Sequence, residues 1–302
     1  MPSFRAAPVR VRVPATSANL GPGFDSAGLA LCLYDDVLVR VTDSGLAVDV
    51  AGEGAEQVPR DNRHLVVTSL RAAFDRLGGQ PRGLEVVCAN RIPHARGLGS
   101  SSAAIVAAIV AARALVVGGD QLLDDDACLH LANQLEGHPD NVAACLRGGL
   151  TFCWMQESGP RMIRLDAHAD LAPVAFVPAT RSSTKKVRGL LPETVPFADA
   201  VFNSSRAALL PYALTVDPSL LFAATEDRLH QGYRASAMPR TATLVAQLRE
   251  QGVPAVVSGA GPTVLALTTT ATRAAVVEPQ RRGWTVLPLE VAAHGAHTVP
   301  VA

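Results

Sequence analysis

The chain has 302 residues, of which 48% are hydrophobic and 18% are charged. This composition supports a substantial apolar core and argues against an intrinsically disordered chain. The 27 basic residues balance the 27 acidic ones, so the formal net charge is zero. Nucleic acids and anionic membranes both reward a basic excess, and neither is expected to be the main partner of this chain.

The cysteines and the apolar segments indicate a cytoplasmic protein. The five cysteines are scattered, odd in number and never spaced as a metal-binding pair, which predicts reduced thiols. Residues 1–12 contain several arginines but no apolar run, so no secretory signal is expected there. The most apolar stretch, residues 103–117, is interrupted by Arg113 and is shorter than the roughly 18 residues that a membrane span requires, which predicts a buried helix.

Hydrophobic periodicity predicts mixed strands and helices along the first half of the chain. Residues 64–77 have apolar side chains at helical spacing and are followed by two glycines, which predicts a helix that stops there. The other elements predicted in this half are strands at 9–13, 30–41, 46–50, 83–92 and 150–154, a turn-rich segment at 14–28 and a helix at 124–135.

The second half continues the same mixture. A polar, turn-rich segment at 157–160 is the expected boundary between domains of residues 1–157 and 158–302. The elements predicted beyond it are strands at 174–178 and 284–291, helices at 198–214, 220–231, 241–251 and 273–282, and a strand–turn–strand unit at 254–268. This mixture predicts an α+β fold in two domains.

The clearest functional signal is a glycine- and serine-rich loop between the predicted strand 83–92 and the apolar helix. A helix N-terminus offers unpaired N–H donors and a partial positive charge, both of which suit phosphate. Gly97 and Gly99 let the backbone approach the phosphates, and Ser100, Ser101 and Ser102 add hydroxyls. The loop is neither a Walker A sequence nor a dinucleotide fingerprint. The competing interpretation is an ordinary serine-capped helix.

A second polar cluster, residues 136–141, follows the predicted helix 124–135. Gly137 and Pro139 are typical of a helix end, so the cluster has a purely structural interpretation. In the functional interpretation Glu136 reaches a magnesium ion, because Mg²⁺ prefers oxygen ligands and takes few of them from protein. Asp140 or Asn141 would then meet the acceptor hydroxyl. For His138 a structural role is at least as well supported.

Two further segments complete the candidate site. Residues 258–262 are a glycine turn between apolar runs, which predicts either a simple hairpin turn or a turn packed against the glycine- and serine-rich loop 93–102, called the phosphate loop below. Residues 181–188 are strongly basic, as is typical of a solvated surface loop. Arginines near a transfer site also suit a substrate carboxylate, and Arg206 and Arg234 are further candidates. Asp25 is the candidate partner for a substrate ammonium.

Taken in order, these blocks resemble the GHMP kinases over nearly the whole chain. The matching segments are residues 14–25, 93–104 and 258–262. The first of them ends in Gly-Phe-Asp and, together with residues 136–141, 183–188, 202–206 and 230–234, resembles the homoserine kinase family. The resemblance implies an N-terminal nucleotide-binding domain with a left-handed βαβ unit and a ferredoxin-like C-terminal domain. It also implies ATP and Mg²⁺ as cofactors, L-homoserine as the phosphate acceptor and a homodimer.

The resemblance further implies roles for individual residues. The residues implied to hold the triphosphate are Pro93, His94, Ala95, Arg96, Gly97, Leu98, Gly99, Ser100, Ser101, Ser102 and Ala103. Those implied to hold Mg²⁺ are Ser100 and Glu136. Those implied to bind the acceptor are Asn19, Asp25, His138, Asn141, Arg188, Arg234 and Gly259. Asn19 and Asn141 are implied to lie near the acceptor hydroxyl and Thr184 near the γ-phosphate. Asp140 completes the catalytic candidates as the general base of a competing mechanism.

Three positions depart from the family pattern: Gly232 and Ser236 stand where proline is expected, and His64 stands where the family often has asparagine near the base. Other acceptors remain open, either a modified amino acid or a mevalonate-type alcohol, as does a catalytically silent nucleotide-binding regulator. Two mechanisms are also open. The hydroxyl attacks directly, oriented by Asn19 and Asn141, or Asp140 acts as a general base.

Overall fold

Two β-sheets, each covered by helices, make up this computed structural model, which describes residues 2–182, 187–277 and 281–301. The first sheet has seven strands and the second has four. The strands are β1 (Val9–Ala18), β2 (Ala27–Thr42), β3 (Gly45–Gly52), β4 (Gly83–Asn90), β5 (Leu150–Gln156), β6 (Gly159–Leu165), β7 (Val174–Pro178), β8 (Ala255–Val257), β9 (Val264–Ala266), β10 (Trp284–Pro288) and β11 (His297–Val299).

The helices occur in runs between groups of strands, in agreement with the α+β prediction. They are α1 (Leu65–Arg76), α2 (Ser100–Leu115), α3 (Gly119–Leu122), α4 (Asp125–Glu136), α5 (Pro139–Arg147), α6 (Phe197–Thr215), α7 (Leu221–Ala224), α8 (Gln231–Arg234), α9 (Pro239–Glu250) and α10 (Arg273–Val277). Two short 3₁₀ turns, Pro218–Leu220 and Ala235–Ala237, adjoin α7 and α8. No helix in the described ranges has the length and apolar character needed to cross a membrane.

The first sheet is organised around the long strand β2. Its order is β11–β1–β2–β4–β3, and β5 also pairs with β2 and carries β6 on its other side. β3 and β4 are parallel and are joined through α1, which gives the predicted βαβ unit. α2 lies in the core with 11 of its 16 residues buried, because its sequence is apolar on nearly every face. This burial fixes the direction in which the N-terminus of α2 points.

The second sheet confirms the ferredoxin-like prediction. Its order is β10–β7–β9–β8, so the fourth and first strands of this unit are neighbours and the third strand lies next to the second. All three neighbouring pairs are antiparallel. α9 precedes β8 and α10 lies between β9 and β10, which completes a β-α-β-β-α-β arrangement.

Several sequence predictions are corrected by the structure. β1 continues through the segment predicted to be a turn and ends at Ala18, with a β-bulge between Pro14 and Ala15. Pro139 is not only a helix stop, since it opens α5. The helix predicted at 220–231 is broken into α7 and α8. The remaining strands and long helices agree with prediction to within a few residues, apart from β6, β11, α3 and α5, which were not predicted.

The segment predicted to separate two domains lies instead inside a hairpin. Gln156 pairs with Gly159 across the turn that joins β5 to β6, and both strands belong to the first sheet. The limits 1–157 and 158–302 therefore cut through a paired unit, and the chain changes sheet between Leu165 and Val174. The C-terminal strand β11 then returns to pair with β1. The polar composition at 157–160 is that of a tight turn as much as that of a linker.

Candidate active site

A cavity of about 480 Å³ lies where the loop before α2 meets the segment after β1 and the β8–β9 turn. Most of the predicted site residues line it. These are Asn19, Asp25, His94, Ala95, Arg96, Gly97, Gly99, Ser100, Ser101, Ala103, Glu136, His138, Asp140, Asn141, Arg188, Arg234 and Gly259. Residues from both sheets and both halves of the chain therefore share one site.

The N-terminus of α2 forms one wall of the cavity. Gly99 is the N-cap, in a left-handed conformation with φ of 70°, and within the described chain no side chain caps this end. The first backbone hydrogen bond of the helix is donated by Ala103 to the carbonyl of Gly99, at 2.8 Å. The N–H groups of Ser100 and Ser101 precede it at the cavity wall, where they are suited to bind an anion.

Two glycines allow the phosphate loop to pack against its neighbours. A Cβ at Gly97 would overlap the carbonyl oxygen of Ser258, and a Cβ at Gly99 would overlap the hydroxyl of Thr16. Ser258 Oγ donates to the carbonyl of Gly97 at 2.6 Å and lies 2.8 Å from Ser17 Oγ. The glycine turn at 258–262 is therefore docked on the phosphate loop, as the functional interpretation of that motif requires.

Glu136, the last residue of α4, faces the start of α2. Its Oε1 accepts hydrogen bonds from Ser101 Oγ at 2.6 Å and Ser102 Oγ at 3.0 Å. Ser100 lines the same cavity. A carboxylate among hydroxyls is an all-oxygen set of the kind that fits Mg²⁺, which takes its other ligands from phosphate and water. Among the described residues no cluster of three or more His, Cys, Asp or Glu side chains suits a metal.

Asp140 and Asn141 form a network at the start of α5. Asp140 Oδ1 accepts from the backbone N–H of Asn141 at 2.7 Å and lies 3.1 Å from His138 Nδ1. This contact raises the pKa of His138 above its ordinary value. The Oδ1 of Asn141 accepts from Thr16 Oγ1 at 2.8 Å. Since Asp140 is only 2% exposed, its carboxylate is held tightly.

Asn19 joins three parts of the site. Its Nδ2 donates to the carbonyl of Gly259 at 2.9 Å, and its Oδ1 accepts from the backbone N–H of Asp25 at 3.0 Å. Asn19 and Asp25 both have positive φ values, of 70° and 54°. Such backbone is uncommon away from glycine and often marks functional sites, where the surrounding packing maintains it.

Asp25 and two arginines form the second charged group of the cavity. Asp25 pairs with Arg188. Burial raises the pKa of Asp25, while the positive charge of Arg188 acts in the opposite direction. The guanidinium groups of Arg188 and Arg234 lie 5.4 Å and 5.1 Å from the centre of the Phe24 ring. Two guanidinium groups thus lie against one aromatic ring, and one of them is paired with a carboxylate.

The remaining part of the cavity is largely apolar and receives the start of α1. Val58, Val66 and Cys88 contribute to its wall. His64 is the N-cap of α1, and its Nδ1 accepts from the backbone N–H of Val66 at 3.3 Å. Burial lowers the pKa of His64. A flat, weakly polar ligand such as a nucleotide base suits this region.

Some predicted residues lie elsewhere. The side chain of Leu98 is fully buried in the core, and Pro93 lines a separate surface groove beside Glu53. Ser102 is buried and its hydroxyl is engaged by Glu136, so these three side chains do not line the cavity. Arg206 pairs with Glu226 instead of facing a substrate. Thr184 lies outside the described residues.

Three residues that support the site were not singled out from the sequence. Thr16 donates a hydrogen bond to Asn141. The ring of Phe24 packs against the guanidinium groups of Arg188 and Arg234. His230 stacks on Phe24 with ring centres 5.0 Å apart. All three belong to the sequence blocks that carry the family resemblance. Their roles depend on contacts with residues far away in the chain, and no local pattern indicates them.

Comparison with known proteins assigns the class. The model of the GHMP kinase N-terminal domain matches residues 64–149, and that of the GHMP kinase C-terminal domain matches residues 217–281. These spans include the phosphate loop, the 136–141 cluster and the glycine turn. The fold and the site together define a GHMP kinase.

Individual relatives narrow this class. The chain is 62% identical to the homoserine kinase of Streptomyces avermitilis, covering 100% of this chain and 99% of the relative. It is 52% identical to that of Clavibacter michiganensis, covering 95% and 93%. The crystal structure of homoserine kinase from Cytophaga hutchinsonii superposes with a TM-score of 0.84 at 25% identity, covering 99% of both chains. The chain belongs to the homoserine kinase family of GHMP kinases.

Proposed function

We propose that the cavity aligns ATP with L-homoserine and transfers the γ-phosphoryl group to the side-chain hydroxyl, giving O-phospho-L-homoserine for threonine biosynthesis. One observation carries the proposal. The cavity that begins at the N-terminus of α2 also contains Asp25, Arg188 and Arg234. A helix N-terminus suits a triphosphate, and one carboxylate with two guanidinium groups suits the ammonium and carboxylate of an amino acid.

The nucleotide end of the cavity is assigned to backbone N–H donors and to glycines that have no side chain to obstruct the phosphates. The N–H groups at the start of α2 bind the phosphates, and Gly97 and Gly99 keep side chains out of their way. Ser100 and Glu136 are assigned to Mg²⁺, which when bound neutralises phosphate charge. The oxygen donors around Glu136 support that assignment. The apolar region near His64 receives the base.

The acceptor end is assigned to the charged cluster and the two asparagines. Asp25 binds the ammonium, while Arg188 and Arg234 bind the carboxylate. Asn19 and Asn141 orient the hydroxyl, with His138 and Gly259 closing the pocket around it. Thr184 is assigned to the γ-phosphoryl group from the family resemblance alone. Each role is open to test by substitution.

Direct attack by the oriented hydroxyl is the favoured mechanism. The transition state of phosphoryl transfer is loose, so alignment and charge neutralisation matter more than a strong base. The Oδ1 of Asp140 is already occupied by the N–H of Asn141 and by His138, which supports a role in holding Asn141. In the rival mechanism Asp140 acts as the general base, and its replacement by asparagine distinguishes the two.

An ADP-release assay with Mg-ATP tests the proposal. L-Homoserine is compared with L-serine, L-threonine, mevalonate and galactose at equal concentration. We expect a kcat/KM for L-homoserine far above the others. Turnover with mevalonate or galactose instead would identify a different acceptor. If the protein binds ATP but turns over none of these acceptors, and no homoserine derivative either, the result would indicate a regulator.

Two further properties are proposed on the family resemblance. One is a homodimer, which light scattering on the purified chain tests. The other is a cytoplasmic location, with which the free cysteines of the described chain agree. Fractionation of cells that express the chain tests the second.

A further inference from the structure

A histidine that the proposed mechanism does not use lies directly behind the acceptor end of the cavity. His230 precedes α8 and its side chain is fully buried, although its ring is polar. Its Nε2 lies 2.8 Å from the carbonyl oxygen of Gly21, and its Nδ1 lies 3.2 Å from Nη1 of Arg234. The ring also stacks on Phe24 at an interplanar angle of 29°. Every polar atom of this ring is therefore engaged.

The partners of His230 fix its tautomer. A carbonyl oxygen only accepts, so Nε2 carries the proton and donates to Gly21. A guanidinium only donates, so Nδ1 accepts from Arg234. Both bonds require the neutral ring. Burial lowers the pKa of His230 and favours that neutral form.

The backbone around His230 is anchored independently of Arg234. The buried carboxylate of Asp227 accepts from the backbone N–H groups of Leu229 at 2.9 Å, His230 at 3.2 Å and Gln231 at 2.8 Å. On the other side Gly21 packs so closely that a Cβ there would lie 2.6 Å from the carbonyl oxygen of Thr225. His230 is thus held between two fixed segments that are far apart in the sequence.

These contacts determine how Arg234 meets a ligand. Arg234 is 2% exposed, and its Nη1 is committed to His230. Its Nε has no hydrogen-bond partner in ranges 2–182, 187–277 and 281–301. The edge formed by Nε and Nη2 is one of the two edges through which a guanidinium grips a carboxylate with two parallel bonds, and it is the one that does not include Nη1. The bond to His230 leaves that edge uncommitted.

We propose that His230 is a positioning residue that fixes the guanidinium of Arg234, through Nδ1, in the orientation required to bind the carboxylate of the acceptor. The inference rests on the proposed function, because it assigns the acceptor a carboxylate. His230 itself does not touch the acceptor. Its effect is preorganisation, which lowers the cost of ordering a long side chain when the ligand binds.

Two substitutions at His230 separate the hydrogen bond from the stacking contact. His230→Phe keeps an aromatic ring against Phe24 but has no acceptor for Arg234. His230→Asn places an acceptor near the position of Nδ1 but loses the ring. We expect His230→Phe to raise the KM for L-homoserine about 10–100-fold, in the range of one hydrogen bond to a charged group, with kcat and the KM for ATP close to those of the parent. His230→Asn should have the smaller effect on KM.

A matched acceptor separates positioning from general damage to the site. 3-Aminopropan-1-ol has the ammonium and the hydroxyl of homoserine but lacks the carboxylate. Its kcat/KM should be nearly the same for the parent and for His230→Phe. An equal loss for both acceptors would show that His230 supports the fold and not the carboxylate grip. The same conclusion would follow if His230→Asn lost more than His230→Phe.

A thermal double-mutant cycle without acceptor tests the contact itself. The Tm values of His230→Phe, Arg234→Met and the double variant are compared with that of the parent. If the bond exists, the double variant should lose clearly less than the sum of the single losses. Additive losses would overturn the proposal even if homoserine were turned over. Coupling without any homoserine turnover would refute the proposed function while leaving the His230–Arg234 contact established.

Discussion

The carboxylate of Asp25 and the guanidinium of Arg188 form an ion pair, although 163 positions separate them in the chain. The two groups are assigned to opposite charges of the same zwitterion. An acceptor that carries both charges replaces this internal pair without leaving either group unpaired. An acceptor that carries only one charge leaves its counterpart in the protein without a partner, which is costly in a partly buried site.

Replacing Asp25 should therefore weaken the preference of the enzyme for acceptors that carry an ammonium group. 4-Hydroxybutanoate is homoserine without its ammonium, and the parent should use it very poorly. Asp25→Asn should lower the kcat/KM for L-homoserine about 100-fold or more while affecting 4-hydroxybutanoate much less. The ratio of the two kcat/KM values, measured by ADP release, is the test. If the ratio is unchanged in the variant, another group binds the ammonium.

Gly97 should tolerate no side chain, because a Cβ would overlap the carbonyl oxygen of Ser258. Its φ of 79° adds about 1–2 kcal/mol of backbone strain for alanine. Gly252, with a φ of 77° and no heavy atom within 4 Å of its Cβ position, is the matched control. Gly97→Ala should lower the Tm more than Gly252→Ala, and only Gly97→Ala should raise the KM for ATP.

Equal Tm losses with an unchanged KM for ATP would contradict this packing argument. That result would mean that the 258–262 turn moves freely relative to the phosphate loop. The hydrogen bond from Ser258 Oγ to the Gly97 carbonyl argues against such freedom. Differential scanning fluorimetry and ADP release suffice for the comparison.

Local sequence patterns predicted the parts of this fold that depend on neighbouring residues. The apolar run of α2 with the glycines before it, and the 174–178 strand, depend on such local signals. β11 has only three residues and pairs with β1 from the other end of the chain, so no local pattern indicates it. Pro139 illustrates an ambiguity, because the same proline suits the end of one helix and the start of the next.

In the candidate site, too, features that depend on neighbouring residues could be predicted, and those that depend on distant contacts could not. The phosphate loop could be proposed from its own residues. The charges of Asp25, Arg234 and the 181–188 segment suggested a zwitterionic acceptor, but the choice of Arg188 and Arg234 over Arg206 came from the family resemblance, because no spacing in the sequence brings these positions together. The role of His230 could not be predicted, since it requires the carbonyl of Gly21, which is 209 positions away.

Asp140 and Asn141 distinguish the two proposed mechanisms. If the hydroxyl attacks directly, Asp140→Asn should lower kcat by less than about 100-fold, because the amide Oδ1 can still accept from the N–H of Asn141. A general base contributes about 10²–10⁴-fold, so a loss in that range with unchanged KM values would favour Asp140 as the base. Asn141→Ala should lower kcat in either mechanism and serves as the positive control. Steady-state kinetics at saturating ATP and L-homoserine give the answer.

Glu136 should control the response of the enzyme to Mg²⁺. Glu136→Gln keeps an oxygen that can accept from Ser101 and Ser102 but removes the negative charge. We expect activity to require a clearly higher Mg²⁺ concentration, with a Tm close to that of the parent. Glu157→Gln, in the exposed β5–β6 turn, controls for loss of a surface charge. An unchanged Mg²⁺ titration in Glu136→Gln would assign the metal to other ligands.

Asp35 should make stability depend on pH. It is 5% exposed, and its Oδ1 accepts from the backbone N–H groups of Arg91 at 2.6 Å and Ile92 at 2.9 Å. Burial raises its pKa to about 6, against the opposing effect of these two bonds. Since the folded-state pKa is above the unfolded value, the stability contribution is present below about pH 4 and is lost as the pH rises through 6.

Asp35→Asn removes this dependence because an amide accepts the same two bonds without a charge. Above pH 7 the buried charge costs on the order of 3 kcal/mol, at 1.36 kcal/mol per pKa unit, so the variant should have the higher Tm at about pH 8. The advantage should shrink to about a third of that value near pH 4.5 and approach zero below about pH 4. Asp43→Asn, at an exposed position after β2, controls for loss of a carboxylate in solvent. A Tm difference between Asp35→Asn and the parent that is the same at both pH values would show that Asp35 ionises in the folded protein without cost.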